Sequence, residues 1–378
     1  MVEKEIDVEG LLSSVDEITS LPASGDKVPS VVPDDSGEDQ KDQSVCALSG
    51  GGGDVFFDLP PGPMSIDPPA PGIYHNVPFE EYQRWNAINA SMIDWGLISM
   101  EHMKAYADDL LKKKSRALDF GSAIHCRLLE PKLFKKKYLI AEPCEAILKS
   151  GKNKGSACGN SSSFQENGMW LCGTHASDQA TPNEHCLTSY EFQAVEAIWA
   201  KVLTHPAVNI LRSKGGFESS CVFHWNGIRC KFRTDKIVFK TGDIGWWILD
   251  VKKVASGRVT DYHCQKSIGE YNYDMRAAWY VDGLRRITGD QDVNFLWVFV
   301  EDSFPHSINV IRADDDESDS TSTIATGRKM YETTVSEYLK CLESGKFYGV
   351  SYDRGRGEDV IKLGGSPRWK RNKIRDEI

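Results

Sequence analysis

A mixed α/β chain is predicted by three features of the 378-residue sequence. Strand-like segments 218–225 and 228–239, the second with Ile228, Cys230 and Phe232 alternating with Arg229, Lys231 and Arg233, are joined by Asn226-Gly227, a pair that favours the type I′ hairpin turn. Strand-like runs recur at 246–251, 295–300 and 307–312. Apolar stripes at helical spacing lie before, between and after these runs.

Taken in order, residues 1–71 are acidic and broken by clusters of Pro, Gly and Ser, such as Gly50-Gly51-Gly52-Gly53. Such a segment buries too little apolar area to offset its chain entropy, so a disordered tail is expected, with a short helix over 7–20. From residue 72 onward one domain is expected to continue to residue 378. Ser91 followed by Asp94 marks a helix start, and Met92, Trp95 and Ile98 form its stripe. A second helix over 118–129 is stopped by Pro131, with Leu118, Gly121, His125 and Leu128 on one face. A lone inward histidine is more often a satisfied core residue than a ligand.

Hydrophobic periodicity stops over 143–188, where Gly, Ser, Asn and Cys take over. A segment this long without regular structure needs a fastener. Cys144, Cys158, Cys172 and His175 supply one candidate, a Cys3His set for structural Zn2+, with His185 and Cys186 in reserve. An iron–sulfur cluster and unliganded thiols are the alternatives. A helix over 190–203 follows, then the hairpin strands, a helix over 271–287, two strands, and a helix over 326–342 closed by Gly345. The stretch 368–373 is basic around Trp369.

The net charge of −10 is unevenly spread. Residues 1–70 hold 15 acidic and 3 basic side chains, which leaves 42 basic against 40 acidic in the remainder. The body is therefore mildly basic, compatible with a nucleic-acid groove. No run of apolar residues reaches the roughly 20 of a membrane helix, and no signal pattern opens the chain, so a soluble, cytoplasmic protein without membrane contact is expected. Ten cysteines in that setting point to thiols or metal ligands rather than disulfides.

The chemistry concentrates in residues 230–253. Asp250 and Lys252 are two apart on a strand and share a face, while Leu249 and Val251 face the opposite layer. Asp235 lies on the preceding strand. Two carboxylates beside a buried wall suggest a divalent ion between them, and a salt bridge on a sheet edge is the plainer reading. On the helix over 271–287, Tyr273 and Arg276 share a face and could stack on bases or hold a phosphate.

Four blocks in this order and spacing, namely 118–131 around His125, Glu218-Ser219-Ser220, 230–237 ending in Asp235, and Asp250-Val251-Lys252, resemble the RecE-type exonuclease (exonuclease VIII) branch of the PD-(D/E)XK nuclease superfamily. The resemblance implies a central mixed sheet flanked by helices, with the cysteine-rich segment as an insertion outside the common core. It implies Mg2+ (or Mn2+) held by His125, Asp235, Asp250 and the main-chain carbonyl of Val251. Lys252 would stand beside the attacking water, and Glu218 would help with a second ion or with water. It further implies metal-dependent 5′ to 3′ digestion of linear double-stranded DNA ends for recombination, a homo-oligomer, a single-strand annealing protein as partner, and action in a host cytoplasm if a phage carries the gene. Two departures stand out: Thr234 replaces the usual proline, and Arg276 a frequent glutamine. A CRISPR-associated or repair nuclease of other polarity, and a non-catalytic DNA-binding module, are the competing readings.

Overall fold

The computed structural model describes residues 66–111, 116–180, 182–183, 185–206, 208–242, 245–353 and 355–360. The helix expected over 7–20, most of the acidic tail and the basic stretch 368–373 lie outside these residues.

In chain order the elements are β1 (Gly72–Tyr74), α1 (Phe79–Arg84), α2 (Ala90–Gly96), α3 (Met100–Ala107), α4 (Arg116–Leu129) and α5 (Pro131–Lys137). A lobe with β2 (Leu139–Ala141), β3 (Phe164–Glu166), β4 (Met169–Leu171) and β5 (Cys186–Thr188) comes next, then α6 (Ser189–Thr204) and α7 (Val208–Arg212). The long strands β6 (Gly215–Trp225), β7 (Ile228–Val238) and β8 (Trp246–Val254) precede α8 (Asp261–Glu270) and α9 (Tyr273–Thr288). Next come β9 (Val293–Glu301), β10 (Ile308–Arg312) and α10 (Thr323–Ser344), followed by a short antiparallel pair, β11 (Tyr352–Asp353) and β12 (Glu358–Asp359).

Six strands form one mixed sheet in the order β1-β6-β7-β8-β9-β10. Only β8 and β9 run parallel, and α8 and α9 make the crossover between them. Helices cover both faces, as the resemblance implied. On one face α2, α9 and α10 pack against Phe232, Ile248, Phe295 and Trp297. On the other, Ile124 of α4 and Val195 and Ile198 of α6 meet Leu249, Val251, Leu296 and Val298. Leu249 and Val251 thus lie in the layer opposite Ile248, as strand alternation requires.

Lys231 fastens α1 to the sheet. Its ammonium is wholly buried and donates to the carbonyls of Tyr82 (2.9 Å), Gln83 (3.1 Å) and Trp85 (2.6 Å). Tyr82 O and Trp85 O also accept from Trp85 N (3.3 Å) and Ala87 N (2.9 Å), so the ammonium reinforces two carbonyls at the helix end and supplies the partner of Gln83 O. Burial alone pulls its pKa down to about 7, while the three acceptors favour the charged form.

Four local features differ from the sequence reading. The N-cap of α2 is Asn89, whose side chain accepts from Met92 N (3.0 Å), so Ser91 lies inside the helix. Pro131 ends α4 and also opens α5 at its first position, where its missing N–H costs nothing. The helix expected over 271–287 is α9, preceded by the separate α8, and Asn272 makes the joint with a left-handed φ of 54°. The lobe is not structureless, because β3 and β4 form a short hairpin and β2 pairs with β5 in parallel.

Candidate active site

Strands β7 and β8 pair only from Lys236↔Leu249 to Val238↔Trp247 and then part. Strand β8 continues beside β9 as far as Val254↔Glu301, so 250–254 are held by the ladder on one side only. Side chains replace the lost bonds at the fork. Thr234 Oγ1 donates to Leu249 O (3.2 Å), and Val251 N donates to Asp235 Oδ2 (2.6 Å). Buried backbone groups need partners, and here the partner is a carboxylate facing the opening.

The other edge of β7 is also interrupted there. Its pairing with β6 passes from Phe217↔Lys236 to Ser219↔Thr234 and omits Glu218 and Asp235. Glu218 has a φ of 45°, a left-handed conformation that costs a non-glycine residue about 1–2 kcal/mol. Such strain concentrates at functional sites.

Helix α4 delivers His125 to this break, with Nδ1 3.4 Å from Asp235 Oδ2. His125, Glu218 and Asp235 each offer a ligand atom, all within 4.8 Å of one another. Asp250 and Lys252 stand next to this group as an ion pair of 2.7 Å, and Lys252 Nζ lies 4.8 Å from the Tyr273 ring centroid. The structure therefore unites His125 and Glu218, drawn from distant parts of the chain, with Asp235. Asp250 is engaged first by Lys252. Arg276 is also engaged, since its Nε donates to Asp94 Oδ2 (2.9 Å) and its Nη2 to the same oxygen.

The charges are mutually dependent. Burial pushes the His125 imidazole down, but the Asp235 carboxylate outweighs it and holds the group up at about 9. Burial pushes Asp235 up, and His125, Lys252 and the Val251 N–H together bring it below the usual range. Asp250 and Glu218 are both raised, chiefly by burial, with repulsion from Asp235 adding to it. Lys252 is raised because Asp250 and Asp235 outweigh the burial that would discharge it. Two carboxylates with raised pKa beside a third, and an imidazole that takes up a proton, form a donor set short of positive charge. Oxygen ligands with one imidazole fit a hard divalent cation.

Two residues at the site were not expected from the sequence. Arg233 donates through Nε to Glu218 Oε2 (3.0 Å) and through Nη1 to Val77 O (2.8 Å) and Ser220 Oγ (3.0 Å). Its place in Arg233-Thr234-Asp235 was the available signal. Asp94 meets Arg276 across 182 residues of chain, and nothing local announces that contact.

In the lobe, Cys144, Cys158, Cys172 and His175 also bring four ligand atoms within 4.8 Å of one another, an arrangement that could bind a metal. Burial raises the Cys172 thiol, but the backbone N–H of Thr174, Cys144 and His175 outweigh it and bring it to about 6. The reserve ligands His185 and Cys186 lie instead at the neck. Leu139 N bonds to His185 O (2.9 Å), and Cys186 pairs with Leu139 in the β2–β5 ladder. All nine described cysteines are free thiols.

Residues 91–348 match the family model described as "PDDEXK-like domain of unknown function (DUF3799)". The chain belongs to this PDDEXK-like family. The match spans the four sequence blocks and includes the lobe. Among solved structures, the PDDEXK-like chain is similar to a "Putative exonuclease" from Eubacterium rectale at 15% identity and a TM-score of 0.44, covering 74% of this chain and 91% of that one. It is also similar to SSO0001, at 16% identity and a TM-score of 0.21, with 39% and 68% covered. No curated protein matches. Among the described residues, no helix is long and apolar enough to cross a membrane.

Proposed function

We propose that this PDDEXK-like protein is a metal-dependent nuclease that hydrolyses phosphodiester bonds of linear double-stranded DNA as an exonuclease. The observation that carries the reading is the meeting of His125, Glu218 and Asp235 with the Asp250–Lys252 pair where β7 and β8 part. A PDDEXK-like family and a donor set fitted to Mg2+ or Mn2+ support the same chemistry. The 5′ to 3′ polarity, the preference for duplex ends, the role in recombination, the homo-oligomer and the annealing-protein partner rest on the RecE-type resemblance of the four blocks.

The ion would be held by His125, Asp235, Asp250 and the Val251 carbonyl, and when bound it polarises the phosphate and eases deprotonation of the attacking water. Lys252 keeps its proton because two carboxylates surround it, so its ammonium offsets the charge that grows on the phosphate. Tyr273 braces Lys252 from below with its ring face. Glu218, anchored by Arg233, presents its carboxylate beside Asp235 and orients the water. Arg276 reaches a DNA phosphate only by sharing or exchanging its bond to Asp94.

The test is digestion of end-labelled linear duplex with Mg2+ by wild type, Asp250→Ala and Lys252→Ala. Wild type should release nucleotides progressively from the 5′ label, and both variants should lose at least about a hundredfold in rate, the scale of one preorganised electrostatic group. Release from the 3′ label alone would retain the nuclease and discard the polarity. An inert wild type, or variants with full activity, would end the catalytic reading.

A further inference from the structure

The lobe between β2 and β5 has little to hold it together as folded protein. Its described core is Leu171 with Phe164, Ala146 and Ala176, packed around three of its own cysteines. Two hairpin strands of three residues each do not make a stable unit in water. Ile147 and Met169 are exposed, so they add little to that core. A segment so poor in buried apolar area needs another source of folding free energy.

The four ligand atoms match a tetrahedron around one small ion. With Zn–S of about 2.3 Å and Zn–N of about 2.05 Å, tetrahedral angles separate two sulfurs by about 3.8 Å and a sulfur from a nitrogen by about 3.6 Å. Cys158 Sγ lies 4.0 Å from Cys172 Sγ. His175 Nδ1 lies 3.4 Å from Cys172 Sγ and 3.5 Å from Cys144 Sγ. An iron–sulfur cluster would interpose a multi-atom cage and hold its ligand atoms wider apart than the 4.8 Å limit of this group. A disulfide needs about 2.05 Å between sulfurs and would leave the third cysteine and the histidine without purpose.

The backbone is arranged for the same end. Cys144 N bonds to Asn160 O (2.8 Å) and Gly159 N returns to Cys144 O (2.9 Å), which clamps the first two cysteine segments side by side. Gly159, directly after Cys158, has a left-handed φ of 69° that turns the chain back beneath the ligand. His175 N and Ala176 N both bond to Cys172 O (2.9 Å), so a tight turn brings His175 onto the same centre as Cys172.

We propose that Cys144, Cys158, Cys172 and the Nδ1 of His175 bind one structural zinc ion that holds the lobe folded. Four protein ligands fill a tetrahedral shell, which leaves no position for substrate or water and separates this ion from the cation of the nuclease cluster. Zinc and lobe form together, because the unliganded segment has too little core to fold by itself.

The experiment uses the full chain carrying Asp235→Ala, so that an ion at the nuclease cluster does not enter the count and nuclease activity is not the readout. Elemental analysis after exhaustive dialysis is expected to give one zinc per chain, lost on adding Cys144→Ser or Cys172→Ser and kept with Cys186→Ser. Since a ligand variant can fail through misfolding, alkylation of the chain with intact ligands is the second measurement. Cys144, Cys158 and Cys172 should be protected together and become reactive together when a strong chelator is added. Iron with visible absorption, a Cys158–Cys172 disulfide without metal, zinc that survives both ligand substitutions, or alkylation unaffected by chelator would each overturn the proposal.

Discussion

Loading the nuclease cluster with a divalent cation should expel a proton from His125. Asp235 holds that imidazole at about 9 against the pull of burial. An imidazole binds metal only when neutral, so cation and proton compete for it. At pH 7 the group sits about two units below its pKa, and the protonated form outnumbers the neutral one about a hundredfold, a handicap of about 2.7 kcal/mol. Metal affinity should therefore climb about tenfold per pH unit from pH 7 and level off beyond about pH 9. The metal-free protein should behave in the opposite sense. The folded pKa lies above the ordinary 6.5, so the stabilisation from the His125–Asp235 pair is complete below 6.5 and fades as pH rises through about 9. Calorimetric titration with Mn2+ at pH 7.5, in two buffers of different ionisation enthalpy, should find close to one proton released per ion. His125→Gln should bring that number near zero. Wild type that releases no proton, or His125→Gln with an unchanged pH slope, would refute the competition.

Three further outcomes are expected. Arg127 is buried, binds Glu196 through Nε (2.6 Å) and Nη2 (2.8 Å) and lies over Trp199, so it joins the His125 helix to α6. Arg127→Met should cost about 1.5–3 kcal/mol in urea unfolding by leaving the partly exposed Glu196 carboxylate without its partner, and adding Glu196→Leu should recover much of it. Lys231→Met removes the ammonium from three carbonyls, of which Tyr82 O and Trp85 O keep backbone donors, so it should cost about 1–3 kcal/mol, the scale of the one group left unpaired at Gln83 O. At Gly327 of α10 an added Cβ would collide with the backbone carbonyl of Asp274, so Gly327→Ala should lower stability by about 1–3 kcal/mol. Because Asp274 adjoins Tyr273, the same variant should slow DNA digestion at temperatures where it remains folded.

Much of the fold was legible because its strands and main helices obey simple periods. Asn226-Gly227 fixed the β6–β7 hairpin, and the alternation around Asp250 placed Leu249 and Val251 in the layer beneath it. Gly345 stops α10 in the left-handed conformation that its position suggested. What escaped was long-range or conformational. Periodicity gives no hint that β7 and β8 part after Lys236↔Leu249, since loss of pairing is a property of two strands together. The left-handed φ of Glu218 is invisible because glutamate has no preference for it. Arg276 read as a free cation on a helix face, whereas Asp94, far away in sequence, already occupies it. Helix α8 was missed because Cys264 is its one buried residue, which leaves no apolar stripe to read.

The neck of the cysteine lobe has an architectural consequence. Strands β2 and β5 are parallel, with Leu139↔Cys186 and Ala141↔Thr188 in register. Antiparallel neighbours can be rejoined by two residues, but parallel ones need a return path of about a dozen or more. The lobe is that return path. An engineer who excised it could not close the gap with a tight turn without tearing the neck that leads into α6. A replacement module of another kind, long enough to run back along the two strands, would be accepted where a plain deletion would not.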